Sequence, residues 1–382
     1  MAFDFETPLA LENARTLKWA RYAGRDVIPM WVADMDFRSP PCVIEALQGA
    51  VARGHFAYQA EDDAVLSAIT THLEEQYGWR VDPSWIVCLP GLVVGINLAV
   101  RASGEPGDPV FCSTPVYPPF LAAPKNSGRP LRTTELKRGE TRWEYDFDAV
   151  EAVLPGCKTW LLCHPHNPVG RAWDESELAR IAALAERHDS VICSDEIHCG
   201  LLLAPGARHR PLAFAHPEIA HRTITLMAPS KTFNIPGLGA AFAVIPDAEL
   251  RRRFQRAAAG IVPHVGQLGL IGMEAALRGA EPWRQALLEV LRRNAAEVEA
   301  TVAAQPGLAM TPVEATYLAW IDCREWAKDK GIANAQKALE AAGLGLSDGS
   351  EFGAPGFVRL NFGCPPTVLR EGLKRLATAV IK

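Results

Sequence analysis

The feature that most constrains this chain's fold is a series of short apolar runs, each closed by proline, glycine or a polar turn. Ile86–Leu89, Pro109–Cys112, Thr159–Cys163, Val191–Ser194, Thr223–Met227 and Gly239–Ile245 read as strands. Between them lie stretches with helical apolar spacing, notably Leu92 to Val100 and Glu175 to Arg187. Short, almost wholly apolar strands alternating with helices indicate an α/β unit with a largely parallel sheet covered on both faces. In such sheets ligands collect beyond the carboxyl ends of the strands. The polar clusters of this chain recur at those ends.

Farther on, Glu281 to Thr301 reads as a connecting helix. Tyr317–Asp322 and Phe357–Phe362 then read as strands of a smaller α+β unit, which the N-terminal arm is expected to join. The expected division is 1–45 for the arm and part of the small domain, 46–280 for the large domain, and 281–382 for the connector and C-terminal small domain. A chain of 382 residues is long enough to bury two such cores. Its 39 basic and 44 acidic residues leave a formal charge of −5, which favours neither nucleic acid nor an anionic membrane as partner. The run Arg251-Arg252-Arg253 reads as a solvated helix face. The start, Met1 to Glu6, lacks a basic segment followed by an apolar one, and the apolar windows are too short to span a bilayer. Nine scattered cysteines, among them Cys88, Cys112, Cys163 and Cys193, read as reduced, buried thiols in a cytoplasmic setting rather than a zinc site.

Ser230-Lys231-Thr232-Phe233-Asn234-Ile235-Pro236-Gly237 places one lysine in a polar turn just after an apolar strand. A lysine at the mouth of a sheet suits condensation with an aldehyde cofactor better than core packing. Pyridoxal phosphate makes four demands: an amine, an acid for the pyridine nitrogen, donors for the phenolate oxygen, and amides with hydroxyls for the phosphate. Lys231 meets the first. Asp195, at a strand end, suits the second, although a helix cap would also use it. Asn167, in a turn between Pro165 and Pro168, and His198, three residues past Asp195, suit the third. Gly91, Leu92 and Val93 at a helix start, with Ser230, suit the fourth. Tyr117, in a proline-rich turn, suits stacking on the ring.

These motifs carry a resemblance over nearly the whole chain. Met30 to Phe37, Pro165-His166-Asn167-Pro168-Val169-Gly170-Arg171, Ser194-Asp195-Glu196-Ile197-His198 and Ser230 to Asn234 resemble fold-type I pyridoxal phosphate enzymes of the aminotransferase class I/II superfamily. Most similar is the cystathionine β-lyase, or C–S lyase, branch of MalY and PatB type. The resemblance implies a PLP-dependent transferase-like fold, with a mostly parallel seven-stranded sheet between helices and a smaller α+β domain. It implies pyridoxal 5'-phosphate as cofactor and Lys231, Asp195 and Tyr117 as catalytic residues. Arg359 would grip the substrate carboxylate, with Trp31 and Asp34 also at the substrate. Tyr58 would reach the neighbouring subunit's cofactor, so a homodimer with shared sites is expected. The chain departs from the family's pattern at His164, Gly200, Ala57 and the proline-free stretch Gly91 to Val94.

The expected reaction is α,β-elimination from L-cystathionine or a related L-cysteine S-conjugate, giving thiol, pyruvate and ammonia. The alternative is transamination between an L-amino acid and a 2-oxo acid, which needs the same cofactor-holding residues. A binding-only regulatory role and a zinc enzyme fit the residues less well.

Overall fold

The computed structural model describes residues 3–11 and 15–381; Met1, Ala2, residues 12–14 and Lys382 of the expectations above lie outside the described residues. A seven-stranded sheet organises the middle of the chain. Its spatial order is Ile86–Leu89, Ala241–Val244, Thr223–Met227, Val191–Asp195, Thr159–Cys163, Val110–Thr114, Leu131–Glu135. Ala241–Val244 runs antiparallel to both its neighbours, and the pairs from Thr223–Met227 outward to Leu131–Glu135 are parallel. Every residue of Val110–Thr114, Thr159–Cys163 and Thr223–Met227 is buried, as strands covered on both faces require.

One strand escaped the sequence reading. Leu131–Glu135 is an edge strand with three exposed residues and no apolar run. Its polar sequence, Leu-Arg-Thr-Thr-Glu, is what an edge tolerates and what an apolar-run criterion passes over. The helices form where expected. Leu92–Ala102 starts at Gly91 and packs on Ala248–Ala258. Glu175–Arg187 starts with a capping box between Asp174 and Glu177.

A second, three-stranded sheet pairs Leu318–Asp322 and Ser347–Asp348 with the central strand Phe357–Asn361, all antiparallel. Glu281–Ala303 is a 23-residue helix between the two sheets in sequence. Near the N-terminus Ile28–Pro29 pairs in parallel with Leu344–Gly345, so the arm is stitched to the C-terminal part of the chain. All nine cysteines are free; Cys42 and Cys88 are partly exposed and the rest buried. No described helix is long and apolar enough to cross a membrane.

Candidate active site

Strand ends converge on one cavity of about 280 Å³. Leu89 leads into Pro90 and Gly91, Thr114 toward Tyr117, Cys163 toward Asn167, and Met227 toward Ser230 and Lys231, while Asp195 ends its own strand. The parallel register brings these carboxyl ends to the same edge of the sheet, and Cys163 stands opposite Asp195. Arg359 enters the same cavity from the middle of the second sheet.

Lys231 lies on the short helix Pro229–Thr232 and donates to the Ala33 carbonyl at 2.5 Å. Burial lowers the proton affinity of its amine to a pKa of about 8; Asp34 and Asp195 work against that, and Arg359 with it. Asp195 is 3% exposed, and its Oδ1 accepts the Ile197 amide at 3.2 Å. Burial pushes its carboxyl up to about 7. His198 is buried, its Nδ1 meets no partner, and burial followed by the charges of Lys231 and Arg359 holds it neutral.

Asn167 sits in a turn in which the His164–Pro165 and Asn167–Pro168 peptide bonds are both cis. Its Oδ1 accepts Arg359 Nη1 at 3.0 Å, which leaves the Nδ2 hydrogens to the cavity. Arg359 Nη2 donates to the Trp31 carbonyl at 2.8 Å, its guanidinium lies 4.7 Å over the Phe352 ring, and its Nε has no partner. Gly91, Leu92 and Val93 line the cavity at a helix N-terminus without a side-chain cap, so the first-turn amides are free donors. Tyr117 and Ser230 complete the lining among the residues expected from sequence.

Three expected residues stand apart. Trp31 meets Arg359 through its carbonyl, while its ring packs under Arg21 at 4.6 Å and its Nε1 donates to the Lys18 carbonyl. Asp34 is not in the cavity lining; its Oδ1 is 3.6 Å from Lys18 Nζ, and its charge acts on Lys231. Tyr58 is fully exposed, and within one chain it is not in the cavity lining.

Lys18, Tyr317, Asn361 and Asn234 were not singled out in the sequence, yet they hold the segment under the cavity. Buried Lys18 pairs with Asp36 at 2.8 Å. Tyr317 donates to Ala33, Asn361 to the Val32 and Asp34 carbonyls, and Asn234 to Met35 and Phe37. A lone asparagine has no local signal for such work, because its partners lie about two hundred residues or more away, and the partner of Lys18, 18 residues on, is beyond the reach of any local helix or strand pattern.

Two departures from the family's pattern acquire structural explanations. A Cβ at Gly200 would stand 2.6 Å from the Thr232 side chain, next to Lys231, so any side chain at this position would have to displace Thr232. His164 is buried against His209, with ring centroids 4.5 Å apart, and does not line the cavity. No group of metal-ligating side chains of the size of a metal site occurs among the described residues.

The chain is similar to known proteins over nearly its whole length. The family model for aminotransferase class I and II matches residues 25–376. Cystathionine β-lyase PatB of Bacillus subtilis is 34% identical over 384 residues, taking in 96% of this chain and 97% of PatB. The crystal structure of OvoB superposes with a TM-score of 0.95 at 43% identity, covering 99% of each chain. Cystalysin from Treponema denticola, whose crystal structure contains pyridoxal 5'-phosphate, gives 0.92 at 31% identity over 100% of this chain and 99% of that one. The chain belongs to the aminotransferase class I and II family, in its fold-type I architecture and in the group that contains PatB and MalY.

Proposed function

We propose that this protein is a pyridoxal phosphate-dependent carbon–sulfur β-lyase that splits L-cystathionine, or a related L-cysteine S-conjugate, into thiol, pyruvate and ammonia. The observation that carries the reading is the convergence of Lys231, Asp195, Asn167 and Arg359 on one cavity. PatB and cystalysin support the reaction and the cofactor respectively.

The donor set fits the cofactor. Lys231 supplies a buried amine, the free amides of Gly91 to Val93 with Ser230 suit a phosphate, and the Nδ2 of Asn167 suits an anionic oxygen. No protein cation is bonded to the Asp195 carboxylate among the described residues, so a ring N–H⁺ would be its partner and would restore its ionised form. His198 and Tyr117, which line the same cavity, would form the walls around the ring. The bound cofactor supplies an electron sink for charge developing at the substrate Cα.

The chain's own groups do the rest. Arg359, whose Nε has no protein partner, would make a charge-assisted contact with the substrate carboxylate. Lys231 removes the Cα proton, for which its amine must be neutral; a pKa of about 8 makes that form accessible near neutral pH. With the cofactor bound, Asp195 would be the residue that keeps the ring nitrogen protonated. The Cβ–S bond breaks, its electron pair leaves with the thiolate, and water completes the release of pyruvate and ammonia.

Tyr58, fully exposed on a single chain, completes the neighbouring site in a homodimer, while Trp31 and Asp34 act from outside the cavity, through the Trp31 carbonyl on Arg359 and the Asp34 charge on Lys231. We divide the chain as 1–45, 46–280 and 281–382, and assign it to the cytoplasm because all nine cysteines are free.

The test incubates the purified protein with L-cystathionine and no 2-oxo acid. Equal amounts of pyruvate and free thiol support the lyase. Amino transfer seen only when a 2-oxo acid is added would replace it with an aminotransferase.

A further inference from the structure

The Ala33 carbonyl accepts two side-chain donors, the Lys231 amine at 2.5 Å and the Tyr317 hydroxyl at 2.9 Å. A carbonyl oxygen has two lone pairs, so these donors saturate it. Tyr317 is 1% exposed and meets the His198 ring edge-on, with centroids 5.9 Å apart. It is delivered by an unusual backbone: Thr316, fully buried, has φ +76°. A β-branched residue in that region is an outlier, and such conformations persist only where their surroundings over-determine them. Here the Thr316 amide donates to the Leu201 carbonyl at 2.8 Å, and its hydroxyl accepts the Leu318 amide at 3.1 Å.

We propose that Tyr317 is a positioning residue for Lys231: it occupies one lone pair of the Ala33 carbonyl and leaves a single, weakened acceptor that aims the lysine amine at the substrate. This rests on the reading of Lys231 as the reacting amine. The physical reason is competition. An oxygen that already accepts one hydrogen bond is a poorer acceptor for the next, and an ammonium gains more from a strong acceptor than an amine does. Tyr317 therefore favours the neutral amine whose lone pair takes the Cα proton.

The groups facing the amine act on it as well. Asp34 and Asp195 favour the ammonium, while Arg359 and burial favour the amine. His198 stays neutral, and burial keeps the Tyr317 hydroxyl protonated. Loss of the hydroxyl alone should therefore move the balance toward the ammonium.

Tyr317→Phe keeps the ring and removes the donor. Cofactor-free full-length protein is mixed with pyridoxal phosphate over a range of pH, and the capture rate is followed by absorbance. The rate midpoint should move to higher pH by about half a unit to one unit in the variant, the equivalent of one neutral hydrogen bond. In the loaded enzyme at neutral pH, kcat for L-cystathionine should fall about threefold to tenfold with KM held within about twofold. An unmoved midpoint, or a loss carried by KM, overturns the proposal. Tyr317→His, which returns an N–H donor, should bring the midpoint back toward the parent, and a midpoint matching Tyr317→Phe overturns it. If Tyr317→Phe does not fold, the histidine variant against the parent decides, a displacement beyond about one unit being the overturning result. Borohydride reduction and peptide mapping separate the two readings. An adduct at Lys231 with an unmoved midpoint sinks only the role of Tyr317, whereas no adduct at Lys231 in the parent sinks the reading beneath it.

Discussion

Arg359 and Asn167 lie 192 residues apart in sequence and are joined by a 3.0 Å hydrogen bond from Nη1 to Oδ1. The bond ties the central strand of the small sheet to a turn at the edge of the large one. It also fixes the asparagine amide. With Oδ1 occupied by the guanidinium, only Nδ2 is presented to the cavity, so Asn167 acts there as a donor. One contact thus couples the proposed substrate-carboxylate site to the proposed cofactor site.

Arg359→Lys keeps the charge and loses the fork. The bond to Asn167 and the bond to the Trp31 carbonyl cannot both be made by an ammonium on a shorter reach. Steady-state kinetics with L-cystathionine should show KM raised about tenfold to a hundredfold, from loss of a charge-assisted pair worth about 1.5–3 kcal/mol. An unchanged KM would remove Arg359 from the carboxylate site.

Asp195→Asn replaces the acid by an isosteric amide. Burial has already raised this carboxyl to about 7, so its ionised form depends on a cation at the ring nitrogen. The amide cannot hold that proton. We expect kcat to fall by about 10²-fold or more while covalent loading at Lys231 survives, as measured by absorbance and turnover of the loaded protein. Near-normal turnover would show that the ring needs no acid here.

Asn361→Ala tests the buried scaffold under the cavity. The Asn361 side chain makes bonds of 2.6 Å to the Val32 and Asp34 carbonyls and accepts the Gly363 amide at 2.8 Å. Removing it strands all three backbone groups away from water. Denaturant unfolding should show a loss of about 2–4 kcal/mol. A loss below about 1 kcal/mol would mean that the segment re-pairs without it.

Acid should destabilise the cofactor-free protein. Burial lowers His72 and His166 to about 4 and His164 and His209 to about 3. Each stays neutral in the native state while the unfolded chain takes up its proton below about pH 6.5. Their stabilisation is complete above that pH and is lost as pH falls toward the folded values. Asp195 and Glu196, both raised to about 7, have the opposite sign: their contribution is present at low pH and is lost as pH rises through 7. These four histidines, with His198, which burial also holds neutral, outweigh the two carboxyls. The melting temperature of cofactor-free protein should fall between about pH 6.5 and pH 5, with a slope of about 1.4 kcal/mol per unit for each net proton. A rise over that window would contradict the assignment of neutral buried histidines.

Much of the architecture was readable from local pattern. Fully apolar strands such as Thr159–Cys163 and Thr223–Met227 announce a covered parallel sheet, because a strand buried on both faces has no polar alternation. Lys231, Asp195 and Asn167 were readable for a related reason: polar residues directly after such strands have few other uses. Leu131–Glu135 was not, since an edge strand is selected for polarity rather than apolarity. The supports of the site were hidden more deeply. Tyr317 and Ala33 are 284 residues apart, and Asn361 and Val32 are 329 apart. Hydrogen bonds of that span leave no periodicity and no motif in either partner. The amino-acid sequence by itself determined which chemistry the strand ends can hold. The tertiary structure alone decided how the second sheet meets the first, which places Arg359 over Asn167 and two donors on one carbonyl, because those contacts exist only once distant segments pack together.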